Sequence, residues 1–151
     1  MIDSPASLSG WGPWGALIAL VLVGAPTVAA TDPWDQQSVT QLAAAFETKA
    51  KRARDASRSA PAVVQHANPD AELRFLDDIR LIEFEAAHLH NELRAGKGRA
   101  ETRPVHARLS ELVARVRKDE QGITVSMAVS RALASAQKAL SALAPYYAAG
   151  E

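Results

Sequence analysis

Four histidines, His66, His88, His90 and His106, are the residues whose chemistry is most easily tuned near neutral pH. An imidazole titrates near pH 6.5 and ligates metal when neutral. Glu85-Ala-Ala-His88 has the Glu-x-x-His spacing that sets a carboxylate and an imidazole one helical turn apart, and Glu92 extends the same face by another turn. Such a set can bind a divalent cation. In di-metal carboxylate bundles the motif occurs twice, with a further glutamate from each of two other helices; here it occurs once. At about 100° per residue, Glu85 and His88 fall well off the apolar seam of their helix, which predicts a solvated charged face. His90 and His106 form the other candidate set. They flank Gly96-Lys97-Gly98, so an antiparallel pairing of the helices on either side would bring them together. Two imidazoles at a bundle end can ligate a metal or a b-type haem. His66 has no ligand-type neighbour at a useful spacing and reads as a loop residue. The expected cofactor is none, with divalent metal or b-type haem as the alternative. A metal set of two or three protein ligands would need water or a second chain to fill the shell, which leaves a homodimer open.

Other chemistries are excluded by composition. With no cysteine, the chain has no disulfides, thiolate metal ligands, thiol nucleophile or c-type haem attachment. No G-x-S-x-G, H-E-x-x-H or glycine-rich phosphate loop is present, so a non-catalytic protein is expected. Lysine plus arginine and aspartate plus glutamate balance at 17 each, whereas a nucleic-acid binder needs a lasting basic excess.

The elements that must position these residues are helical throughout. Val39, Leu42, Ala43, Phe46, Ala50 and Ala53 recur at three- and four-residue steps after Pro33. A second helix is signalled by Asn68 as N-cap and Pro69 at the first position. It carries a heptad seam through Phe75, Ile79, Ile82, Ala86, Leu89 and Leu93, and stops at Gly96-Lys97-Gly98. The third opens near Thr102-Arg103-Pro104, with Val105, Leu109, Leu112 and Val116 as its stripe. After a tight reversal at Asp119–Gly122, the fourth runs from about Thr124 to Ala144, ended by Pro145. Short connections between amphipathic helices predict an antiparallel four-helix bundle. Seven acids face two bases between Asp70 and Glu92, and eight bases face two acids between Arg94 and Lys118. That opposition selects these two helices as neighbours.

Residues 1–30 read differently. From Ser4 to Thr31 no side chain is charged, and Trp14–Val23 is a continuous run of apolar and small residues. Its length fits a signal-peptide core and falls short of the roughly 20 residues that span a bilayer. Pro26 and Thr27-Val28-Ala29-Ala30 place cleavage after Ala29 or Ala30. Asp3 and the absence of Lys or Arg at this end depart from a signal peptide, and an uncleaved membrane anchor with Trp11, Trp14 and Trp34 at its two ends is the alternative. Either reading puts residues 31–151, the helical domain, outside the cytoplasm: periplasmic or secreted, or anchored facing the periplasm. The expected function is that of an exported adaptor, chaperone or accessory subunit that binds another exported or membrane protein. The alternative is a metal- or haem-binding sensor or carrier.

Overall fold

A computed structural model describes residues 34–59 and 69–148, and all regular structure in them is helical. The segment assigned to a signal peptide or anchor, together with Asn68 and His66, lies outside the described residues. The helices are α1 (Gln36–Ser59), α2 (Pro69–Arg94), α3 (Arg99–Asp119), α4 (Met127–Ser141) and the single turn α5 (Ala144–Tyr147).

Local chemistry sets the ends. Asp35 caps α1: its carboxylate accepts from the Gln37 backbone N–H at 3.1 Å and from the Ser38 hydroxyl. The Ser38 bond holds the Asp35 carboxyl below its usual range. α2 closes where Gly96 adopts φ +84°, with Gly96 N–H donating to Leu93 C=O and Lys97 N–H to Glu92 C=O. This paired Schellman arrangement needs a left-handed residue, which glycine supplies without steric cost. α3 begins three residues before the expected Thr102. Gly98 is its cap residue, and the Glu101 carboxylate accepts from Gly98 N–H at 2.9 Å. Pro104 therefore sits inside the second turn. Its missing N–H leaves only the carbonyl of exposed Ala100 without a helical donor.

α4 is shorter than expected at both ends. Ser126 caps the helix, accepting from Val129 N–H at 3.4 Å, so α4 starts at Met127, three residues after Thr124, and it stops at Ser141. Pro145 does not terminate it; the proline lies in the first turn of α5. The reversal before α4 is a single 3-10 turn over Glu120–Gly122.

α1 packs broadly against α2 and α4, and α2 against α3, whereas α3 and α4 barely touch. Gln36 reaches Leu93 and Lys97, and Asp78 reaches Arg115, so α1/α2 and α2/α3 each run antiparallel. The seam read from the sequence is the core: Phe75, Ile79, Ile82, Ala86, Leu89 and Leu93 are all buried. They meet Val39, Ala43 and Phe46 of α1, Leu109, Leu112 and Val116 of α3, and Leu133, Ala136 and Leu140 of α4. Alanines keep the α1/α4 side thin. A cavity of about 10 Å³ remains between Ala50, Ala53, Ala136 and the side chains of Ile82 and Val116. It is about the size of one water molecule, and its lining is apolar except for Arg117.

Candidate functional site

The charged flank between α2 and α3 comes first, because most expected site residues lie on it. Asp78, Glu85 and Glu92 are spaced by heptads along α2, and Arg108 and Arg115 by a heptad along α3. Antiparallel pairing then sets like steps opposite one another. Arg115 grips Asp78 through Nε at 2.5 Å and Nη2 at 2.7 Å, and Arg108 Nη1 lies 3.0 Å from Glu85 Oε1. The next heptad step on α3 is Glu101, which is engaged at the helix cap. Glu92 takes Lys97 Nζ instead, at 2.6 Å, with His88 Nε2 at 3.5 Å. The Lys97 bond holds the Glu92 carboxyl below its usual range and raises Lys97.

The expectation that Glu85 faces solvent is overturned, since Glu85 is buried at 6% exposure. Glu85 lies off the centre of the seam, but α3 covers that flank and the Arg108 guanidinium neutralises the carboxylate. His88 does stay exposed. His90 and His106 do not share a partner. His90 Nδ1 lies 2.6 Å from Glu47 Oε2 on α1, while His106 stacks on Tyr147 of α5. Among the described residues no group of three or more His, Asp or Glu side chains is arranged to hold a metal ion.

At the α2/α3 loop end the structure assembles a cluster that no local spacing announces. The His106 ring stacks on Tyr147 with centroids 4.1 Å apart and 12° between planes, and Trp34 meets Tyr147 edge-on at 5.6 Å. The Arg99 guanidinium sits 5.6 Å from the centre of the Trp34 ring. Trp34 Nε1 donates to Gln36 Oε1, and Gln36 Nε2 donates to the Leu93 and Lys97 carbonyls at 2.7 and 3.2 Å. The first turn of α1 is thereby tied to the last turn of α2 at Leu93 and to the loop after it at Lys97. Thr102 Oγ1 donates to Gly98 C=O at 2.9 Å, which uses its one proton; the Tyr147 hydroxyl, also 2.9 Å away, is therefore the donor to Thr102. Burial raises the Tyr147 hydroxyl and lowers the His106 imidazole from their usual pKa values. His106 Nε2 is enclosed without a hydrogen-bond partner, which fits a neutral ring held by stacking.

A third surface is the outer face of α2. Leu73 and Phe84 are 62% and 67% exposed, and Leu81 is 37% exposed beside them. Leu73 and Phe84, eleven residues apart, differ by only about 20° around the helix and lie opposite the buried seam. The same periodicity that marks the core marks this stripe, a signal the seam overshadows.

The described residues thus define an all-helical protein with a tied-down polar flank, an aromatic clasp at one end and large apolar side chains exposed on the outer face of α2. No known family, characterised protein or solved structure matches the chain.

Proposed function

We propose that this chain is an exported, non-catalytic antiparallel four-helix bundle that binds another protein through the outer face of α2. The observation that carries the reading is the exposure of Leu73 and Phe84 on one stripe of a helix whose opposite face is fully buried. Leaving such side chains in water forgoes about 1.5–3 kcal/mol each, and large apolar side chains left exposed on one helix face favour a protein contact there. Support for the absence of catalysis is the internal engagement of the titratable candidates: Glu85 by Arg108, Glu92 by Lys97, His90 by Glu47 and His106 by Tyr147. Export to the periplasm, or secretion, rests on the uncharged N-terminal stretch and its Ala29-Ala30 site.

The test is a photo-reactive benzoylphenylalanine at position 84 in the full chain, irradiated in the cells that make it. A discrete adduct is expected at position 84 and not at exposed Ala107 on α3. Equal adducts at both positions, or none, would remove the outer face of α2 as the binding surface.

A further inference from the structure

The outer face of α2 is complementary to itself. Leu73 and Phe84 are equidistant from the midpoint between Asp78 and Ile79, one on each side, and so are Asp77 and Arg80. At 100° per residue these four fall within about 60° of arc, centred opposite the core seam. We propose that a second copy of this chain docks here, α2 antiparallel to α2, with Leu73 against the partner's Phe84 and Asp77 against the partner's Arg80. The proposal rests on the reading of this face as a protein-binding surface and names its occupant.

A two-fold interface uses one patch twice, so residue i must suit residue j and residue j must suit residue i. That condition is met here by an apolar pair and an ion pair in a single register. A parallel pairing of the same face would set Asp77 against Asp77 and Arg80 against Arg80, and like charges directly opposite are repulsive. The charge pattern of α2 as a whole points the same way. Its buried acids Asp78 and Glu85 are already matched by Arg115 and Arg108 of α3. Asp77 and Arg80 are exposed, and neither enters an ion pair among the described residues. The stripe left outward is thus neutral on a helix rich in acid, and carries both signs needed to meet its own copy. From Leu73 to Phe84 the contact is about 16 Å long, so the interface is small and the dimer exchanges readily.

The cysteine-free sequence allows a clean trap. Full-length Leu73→Cys and Phe84→Cys chains are oxidised separately and as a mixture, with Ala107→Cys as the control. In the proposed register position 73 faces position 84 of the partner, while two copies of position 73 stand about 16 Å apart, beyond disulfide reach. The mixture should yield about tenfold more covalent dimer than either chain alone or any mixture with the control. Sedimentation velocity supplies the charge test: Asp77→Arg and Arg80→Asp should each shift the chain towards monomer, and the double variant Asp77→Arg/Arg80→Asp should restore the dimer. Equal trapping in all mixtures, or a double variant no better than the singles, overturns the dimer. An adduct at position 84 with the mass of a different protein also overturns it while leaving the protein-binding face in place. Loss of that adduct as well removes both readings.

Discussion

His106 shows how one buried ring can carry a pH dependence of stability. Burial against Tyr147 lowers its imidazole below the ordinary value, so the unfolded chain takes up a proton at a higher pH than the folded one. Stability rises with pH wherever the unfolded state binds more protons. The contribution of His106 is therefore present above about pH 6.5 and is lost as the pH falls from there towards the lowered folded value. His106→Phe keeps a ring on Tyr147 and removes the titration. The fall in melting temperature between about pH 7.5 and about pH 5.5 should be smaller in this variant than in the parent. An unchanged fall would place the pH dependence elsewhere. Nothing in the sequence around His106 indicates this environment, because Tyr147 and Trp34 lie far from it along the chain, one on each side. Residue spacing reports what shares a helix face; it is silent on what a distant turn lays across it.

At the scale of elements, periodicity was informative where one helix buries one stripe. Ile82 and Leu112 are 3% and 4% exposed, as the heptad seam requires. Replacing either by alanine should cost about 2–5 kcal/mol in denaturant unfolding, while Ser130→Ala on α4 should stay within about 0.5 kcal/mol. Equal losses at all three would mean that the helices present other faces to the core. The opposed charges of α2 and α3 were equally legible, and they appear as the Asp78–Arg115 and Glu85–Arg108 pairs. What failed was the inference from angle to solvent at Glu85. A helical wheel gives the distance from the centre of the core, but a neighbouring helix covers the flanks too, and its direction is fixed only by the packing. The ends of α3 and α4 were misplaced for a different reason: Gly98 with Glu101, and Ser126 with Val129, start helices through cap bonds that outweigh the nearby Pro104 and Thr124.

For the whole molecule, the export reading has a direct check. The intact mass of the accumulated protein should correspond to a chain starting at Ala30 or Thr31, with Trp34 as its one tryptophan. A membrane-pelleting species of full mass, retaining Trp11 and Trp14, would replace the signal peptide with the anchor. In either case the chain leaves the helices beside the clasp, because Trp34 and Tyr147 touch although they stand at opposite ends of the described sequence. The two ends of the described sequence thus meet at one end of the helices. A peptide link from residue 148 to residue 34, in a chain trimmed to the described residues, would close a circle at this clasp. In the chain-entropy model such a closure, spanning more than 100 residues, removes about 4–5 kcal/mol of freedom from the unfolded state. The described helices thus already hold, by the edge-on contact of Trp34 with Tyr147, the two ends that a covalent circle would join.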